Sequence, residues 1–187
     1  MAVELLQGQA PAAIREELAR DIAELDQLVG ELLLASRLDA AAVHAPPPVP
    51  VDLAALAAEE CARVAAGCAA EPVSLTGEPA LLRRMIRNLL ENARRHGAGA
   101  PVTLTLARTS ASGIRLEVSD GGPGVPEEER EAIFEPFYRV RGASEADGGY
   151  GLGLSLVRQI ARRHGGDVRC VAREGGGCLF RVTLPAG

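Results

Sequence analysis

Two glycine-rich segments hold the residues of this chain that are best suited to bind a nucleotide. In the first, Asp120 follows the apolar, strand-like run 114–119 and precedes glycines, so a carboxylate lies at a strand end beside a flexible corner. The second, residues 149–154, opens an amphipathic run, so its glycines lie where a helix N-terminus has unpaired N–H groups. These donors and the helix dipole attract phosphate. The two segments therefore predict a pocket that holds a base at one end and a polyphosphate at the other.

A polar face of the predicted helix 79–95 offers ligands for a metal ion. Since successive residues of a helix are rotated by about 100°, this face comprises Asn88, Glu91, Asn92 and Arg95. Asparagine is a poor helix former, which makes two of them unusual here, although an ordinary solvated face is the alternative explanation. One amide oxygen together with phosphate oxygens and water suits Mg²⁺. Arg95 lies one turn further on and is placed to neutralise phosphate charge.

The composition excludes several classes of nucleotide-binding protein. The chain has 187 residues, a formal net charge of −5 and no lysine among its 20 basic residues. A P-loop and a eukaryotic-type protein kinase each require a lysine, so neither is present. The acidic balance and only three Phe and two Tyr argue against a nucleic-acid partner.

The four cysteines form no C-x-x-C pair and lie in apolar runs. We therefore expect core or half-buried thiols in a reducing compartment, not a metal site or disulfides. These residues are Cys61, Cys68, Cys170 and Cys178. No run approaches the ~20 apolar residues of a membrane span, and no signal peptide is visible, so we expect the chain as given to be soluble.

Hydrophobic spacing over residues 12–38 predicts a helix with a narrow, coiled-coil-like seam that needs a partner helix. Packing of this helix on its own domain is the alternative. A proline-rich linker at 45–50 follows, and Asp52 is expected to cap a helix over 53–66 that ends at Gly67. The remaining pattern predicts strands at 73–76, 102–108, 113–119, 168–173 and 178–184, a short helical turn at 126–133, a mobile loop at 137–150 and a helix from the second glycine segment to His164.

Five motifs in this order resemble those of sensor histidine kinases. They are an N box (82–96), a G1 box (118–126), an F box (133–139), a G2 box (149–154) and a final glycine box (177–180). The resemblance implies the α+β Bergerat fold shared with gyrase and MutL-type ATPases, a two-layer sandwich in which three main helices cover a mixed sheet. One long coiled-coil-like helix precedes it. The implied organisation is a remnant of a helical hairpin (1–44), a linker (45–50) and a catalytic ATP-binding domain (51–187).

The resemblance implies ATP and Mg²⁺ as ligands and gives several residues a role. Asp120 would accept a hydrogen bond from the adenine amino group, and Asn92 would hold Mg²⁺, with Asn88 and Arg95 as further catalytic residues. Residues 137–150 would form a lid over ATP, anchored by two phenylalanines. His96 stands in place of the usual tyrosine and Cys178 in place of threonine. The implied nucleotide-binding residues are Asn88, Asn92, Arg95, His96, Asp120, Gly122, Gly124, Val125, Phe134, Phe137, Gly149, Tyr150, Gly151, Leu152, Gly153, Leu154 and Cys178.

The N-terminal helix resembles the second helix of a dimerisation and phosphoacceptor hairpin. His44, His96 and His164 lack the neighbours of the phosphoacceptor motif, so we expect the first helix of the hairpin, which should carry the phosphorylated histidine, to lie outside the given chain. The implied partners are a histidine phosphoacceptor hairpin, the receiver domain of a response regulator, and a second copy of the full-length protein through residues 12–38. We expect a cytoplasmic location, with the full-length protein able to be anchored in the inner membrane.

Two other functions stay open. Gyrase and MutL-type ATPases and anti-sigma serine kinases share the implied fold, and they place a glutamate four residues before the magnesium asparagine as general base. Asn88 occupies that position here, so activation of water is expected to be poor. The other alternative is a non-catalytic module that binds a partner through the coiled-coil face.

Overall fold

The computed structural model describes residues 12–39, 47–109, 113–140, 150–173 and 175–186. The helices and strands, in chain order, are α1 (Ala12–Asp39), β1 (Val49–Asp52), α2 (Leu53–Val64), β2 (Gly67–Ala70), β3 (Ser74–Gly77), α3 (Pro79–His96), β4 (Thr103–Arg108), β5 (Gly113–Ser119), α4 (Gly153–Arg163), β6 (Asp167–Ala172) and β7 (Cys178–Pro185). Two short 3₁₀ turns, Glu127–Glu129 and Ala132–Phe134, follow β5.

The main sheet is mixed and five-stranded, in the order β2-β4-β5-β7-β6. Only β2 and β4 run parallel, and every other neighbouring pair is antiparallel. Alternate side chains of β4, β5 and β7 are buried and point to one face, which α2, α3 and α4 cover. The predicted two-layer arrangement of three helices on a mixed sheet is confirmed. β1 and β3 form a separate antiparallel pair.

Helix α3 lies at the centre of this helical layer. Pro79 occupies its first turn, where a missing N–H costs nothing. Its apolar face, which includes Leu82, Ile86, Leu89 and Ala93, is fully buried. Because this face fixes the rotation of the helix, the asparagines on its other side take up defined positions.

A cluster of ion pairs joins α2 to α3. Glu60 has a side chain only 2% exposed and accepts two hydrogen bonds of 3.0 Å from Arg87, with further bonds from Arg63 (3.1 Å) and Arg83 (3.2 Å). The hydrogen bond from Arg87 is the largest effect that lowers the pKa of Glu60 to about 2. This buried carboxylate is therefore charged at neutral pH and ties the two helices together.

Two strands, β1 and β2, were not predicted from the sequence. Val49 and Pro50, predicted as linker, pair with β3 in the short ribbon. Asp52 caps α2 as predicted, accepting from the Ala55 backbone N–H at 3.0 Å, but α2 ends at Val64. Ala65 takes the left-handed conformation at φ 55° and stops the helix there. The expected end at Gly67 was wrong, because Gly67 already pairs with β4 as the first residue of β2.

The cysteines are free thiols with different environments. Cys61 and Cys178 are buried and Cys170 is half-buried, as expected. Cys68 is exposed, which contradicts the expectation of a core or half-buried residue. It lies on β2, an edge strand whose first three residues are all exposed.

The apolar seam of α1 is exposed along most of its length: Leu18 is 50% and Leu25 is 55% accessible. Near the C-terminal end of α1, Leu34 and Leu38 are partly buried against the core. Packing on its own domain is therefore observed at the C-terminal end of α1, while pairing of the exposed seam with a partner helix stays a prediction. None of the helices in the described ranges is both long and apolar enough to cross a membrane.

Candidate functional site

Asp120 lies where β5 ends and is only 2% exposed. Its Oδ1 accepts hydrogen bonds from the backbone N–H groups of Gly122 (2.9 Å) and Cys178 (3.2 Å). Its own N–H donates to the Cys178 carbonyl at 3.1 Å. No donor among the described residues reaches Oδ2. One carboxylate oxygen therefore holds the corner together, and the other is left as an acceptor for a ligand.

Two glycines allow the chain to close around this carboxylate. A Cβ on Gly122 would lie 2.1 Å from the carbonyl oxygen of His96, at the end of α3. A Cβ on Gly177 would lie 2.1 Å from the carbonyl oxygen of Asp120, and that carbonyl also accepts from Arg173 Nη1 at 2.7 Å. The backbones of α3, the β5 corner and the turn before β7 thus meet at van der Waals distance. From the sequence, a glycine was expected at position 122 so that a base could approach the backbone. The close contact with the His96 carbonyl was not predicted.

The two asparagines of α3 differ in environment. Asn88 is 5% exposed, and its Nδ2 donates to the carbonyl oxygen of Gly153 at 3.1 Å, across to the start of α4. This bond fixes the orientation of the amide. Asn92, one turn further on, is half-buried, while Arg95 and His96 in the last turn are exposed. The solvent exposure of the N-box side chains therefore increases along the helix, from the buried amide of Asn88 to the exposed basic groups in the last turn.

Among the described residues, no side chain caps the N-terminus of α4. The first intrahelical bond is donated by Leu156 to the Leu152 carbonyl, at 3.0 Å, so the N–H groups of Gly153 and Leu154 have no partner within the helix. Gly151, just before the helix, has φ 73°, a conformation that suits glycine. An uncapped end of this kind offers donors and a positive partial charge to an anion.

An aromatic and cationic stack supports the segment that precedes the predicted lid. Phe134 is 3% exposed and meets Phe180 edge-on, with ring centroids 6.4 Å apart. Arg158 of α4 lies 4.4 Å from the centre of the Phe134 ring and forms a 2.7 Å ion pair with Glu131. Arg158 was not predicted as a site residue, because a cation that follows apolar residues in a helix is a weak signal in the sequence.

The two predicted lid anchors lie in different environments. Phe134 belongs to the core, whereas Phe137 is 61% exposed and adopts φ 64°. The Phe137 N–H donates to the Gly151 carbonyl at 3.0 Å, which brings the two ends of the lid segment together. Residues 141–149 of the predicted lid, including Gly149, lie outside the described residues.

The other predicted site residues surround the same region. Leu152 and Cys178 are buried, Val125 and Leu154 are partly buried, and Tyr150 is 43% exposed. Gly124 has φ 81°, and a Cβ added to it would lie 3.2 Å from the Gly177 carbonyl oxygen. Backbone contacts thus link the G1 corner to the final glycine segment and to the end of α3, and a side-chain bond links α3 to α4. These residues fit a nucleotide, since a carboxylate acceptor and an uncapped helix end lie on segments that are packed together.

Residues 77–187 match the profile of the "Histidine kinase-, DNA gyrase B-, and HSP90-like ATPase" family. The sensor protein CutS of Streptomyces coelicolor is 38% identical over 169 residues, which are 84% of this chain and 40% of CutS. Sensor histidine kinase GtrS of Pseudomonas aeruginosa is 44% identical over 119 residues, 64% of this chain and 24% of GtrS. The chain therefore spans well under half of the length of these relatives.

Solved structures agree with this similarity. The ATP-binding domain of PrrB from Mycobacterium tuberculosis is 33% identical with a TM-score of 0.59, and the match covers 76% of this chain and 99% of that domain. Full-length ShkA, solved in complex with AMPPNP, is 26% identical with a TM-score of 0.73, over 95% of this chain and 40% of ShkA.

Proposed function

This chain belongs to the family of histidine kinase-, DNA gyrase B- and HSP90-like ATPases, and we propose that it transfers the γ-phosphoryl group of ATP to a histidine outside the chain, for relay to a response regulator. The base of ATP would lie at Asp120, whose Oδ2 accepts from the adenine amino group. The phosphates would lie at the uncapped start of α4, with Arg95 able to approach them from the last turn of α3.

Asn92 and Asn88 fit a Mg²⁺ ion, because an amide oxygen is a hard ligand and phosphate oxygens and water complete the shell. Asn92 is the better ligand, since it is half-buried and lies between Asn88 and the basic end of α3. When bound, Mg²⁺ supplies charge neutralisation for the phosphates during transfer. Asn88 has its amide nitrogen fixed on Gly153, which leaves its oxygen as the only further polar atom of the side chain.

The environment of Asn88 is the observation that favours a kinase over an ATPase. Hydrolysis requires a base that takes a proton from water, and a carboxamide cannot do so. The Asn88 amide is also committed to the Gly153 carbonyl at 3.1 Å. A histidine acceptor is itself a nucleophile and needs no such base.

The acceptor histidine is proposed to lie on another segment or another protein. His164 has both ring nitrogens engaged: Nε2 accepts from the Glu78 N–H at 3.1 Å, and Nδ1 lies 2.8 Å from the Ile160 carbonyl. His96 lies in the last turn of α3, and His44 lies outside the described residues. We further propose that the exposed seam of α1 joins two copies of the full-length protein in a helical hairpin. A cytoplasmic location, with the full-length protein able to be anchored in the inner membrane, is part of the same proposal.

The test is transfer of the labelled γ-phosphoryl group from ATP and Mg²⁺ to a separately supplied histidine hairpin of a sensor kinase. We expect acid-labile label on the hairpin and none on the chain itself. Asn92→Ala should abolish transfer, because it removes an oxygen ligand of the metal. Arg94→Ala, an exposed position two residues further along the same helix, is the matched control and should transfer normally.

Two results would contradict this proposal. Transfer at an unchanged rate in Asn92→Ala would place the metal elsewhere. Release of free phosphate that is fast compared with transfer, with the hairpin present, would instead favour an ATPase.

A further inference from the structure

Cys170 and Cys178 bring two thiols together beside the proposed adenine site. Their sulfur atoms are 3.8 Å apart. In the β6–β7 ladder Cys170 lies opposite Phe180, and Ala172 lies opposite Cys178. The two cysteines are therefore diagonal neighbours on the same face of the sheet, and their side chains bring the two sulfur atoms into contact.

The two thiols are not equivalent. Cys170 is half-buried on the edge strand β6, whereas Cys178 is 6% exposed at the start of the inner strand β7. The hydrogen bond between the two thiols and the positive charge of Arg130 lower the pKa of Cys170. The same hydrogen bond and burial raise the pKa of Cys178. Such a pair divides into an attacking thiolate and a resolving thiol.

We propose that Cys170 and Cys178 form an oxidation site for a hydroperoxide such as H₂O₂. The Cys170 thiolate attacks one peroxide oxygen, the O–O bond breaks, and hydroxide leaves and takes up a proton as water, so that Cys170 becomes a sulfenic acid. The Cys178 thiol then loses its proton and attacks the Cys170 sulfur, and a second water leaves as the S–S bond forms. Two thiols and one peroxide thus give one disulfide and two waters.

The disulfide would act on the proposed adenine site through Asp120. Cys178 is bound to Asp120 twice, by its N–H to Oδ1 at 3.2 Å and by its carbonyl from the Asp120 N–H at 3.1 Å. A disulfide has its sulfurs about 2 Å apart, so the sulfurs must approach by almost half of their present distance. That movement draws Cys178 away from its present hydrogen-bonding position. We expect oxidation to weaken ATP binding. Only this expected effect on ATP binding rests on the proposed function, whereas formation of the disulfide does not.

The test uses the chain with Cys68→Ser, which removes the exposed thiol of β2 and leaves this pair intact. Treatment with an equal amount of H₂O₂ should lower the mass by two hydrogens, and peptide mapping should find Cys170 linked to Cys178. The affinity for ATP should fall about tenfold and recover with dithiothreitol. The control, Cys170→Ser in the same background, should bind ATP like the reduced parent and keep that affinity after peroxide.

Each other outcome overturns a defined part of the proposal. Sulfinic acid on Cys170 without a bond to Cys178 would refute the dithiol site. A mapped disulfide with unchanged ATP affinity would refute the coupling to Asp120. If the reduced chain binds no ATP, the proposed function fails, while the mass and the mapping still decide whether the dithiol exists.

Discussion

Replacement of Asp120 by asparagine would test the adenine site almost atom by atom. Oδ1 accepts from Gly122 and Cys178, whereas Oδ2 has no donor among the described residues. An asparagine can place its single oxygen on the two backbone N–H groups, and its NH₂ group then takes the position of Oδ2. Asp120→Asn therefore keeps the corner and exchanges the acceptor for a donor at the ligand side.

The expected loss follows from the hydrogen bond that disappears. A hydrogen bond to a charged group contributes about 1.5–3 kcal/mol, which corresponds to about a tenfold to hundredfold loss of affinity for ATP. GTP carries a carbonyl where ATP has its amino group, so its weaker binding should not fall further and is expected to improve. The melting temperature should change by less than about 4 °C, because the backbone bonds of the corner are kept.

Asp120→Ala is the matched comparison. It removes the acceptor for both backbone N–H groups, and each buried donor left unpaired costs about 1–3 kcal/mol. This variant should therefore lose both nucleotides and melt at a clearly lower temperature. Calorimetric titration with ATP and GTP, beside melting curves of the three proteins, separates the two effects. If Asp120→Asn behaves like Asp120→Ala, losing ATP and GTP alike with a lowered melting point, Asp120 is a structural turn residue and our reasoning is wrong.

Two further predictions concern the scaffold. Glu60→Gln should destabilise the fold by about 2–3 kcal/mol at pH 7, because the bonds from Arg87 hold the pKa of Glu60 near 2, below its ordinary 4.5. Because the pKa of Glu60 is lowered in the folded state, its charge stabilises the fold fully above pH 4.5 and progressively less as the pH falls towards 2. Denaturant titrations should therefore show a smaller difference in free energy of unfolding between parent and variant at pH 3 than at pH 7. An equal difference at the two pH values would contradict this. Gly122→Ala should reduce ATP affinity and stability together, since its Cβ would lie 2.1 Å from the His96 carbonyl, whereas Gly67→Ala, with no neighbour closer than 3.6 Å, should be tolerated; normal ATP binding and melting in Gly122→Ala would refute the close approach.

Where the sequence carried a strong local signal, it predicted the fold well. The helix at Pro79–His96 and the strand at Gly113–Ser119 were expected within one residue of their observed limits. β2 was missed because Gly67–Ala70 has neither alternation nor β-branched residues, and its pairing with β4 depends on a parallel, non-local contact. β1 was missed because its first two residues fall within the predicted proline-rich linker, and Pro50 is acceptable only in a two-stranded ribbon or at a sheet edge.

The site shows the same division. Residue types and spacing were enough to propose Asp120 and both asparagines of α3 as site residues, and their roles stay predictions. The bond from Asn88 to the Gly153 carbonyl, by contrast, joins residues 65 positions apart, and the contact of Cys170 with Cys178 depends on the register of two strands. Such contacts are determined by tertiary packing and strand register, so no local sequence pattern predicts them.

The corner around Asp120 is held by backbone groups of Cys178, so its hydrogen bonds do not require a particular side chain at that position. β5 and β7 are antiparallel, so the end of one strand lies beside the start of the other. Cys178 holds Asp120 through its own N–H and carbonyl, groups that every residue except proline provides. The side chain at 178 is therefore free to vary without loss of the geometry that presents the carboxylate. A cysteine at this position, with Cys170 at 3.8 Å on the neighbouring strand, keeps these backbone bonds in the reduced protein and provides the thiol that the proposed oxidation requires.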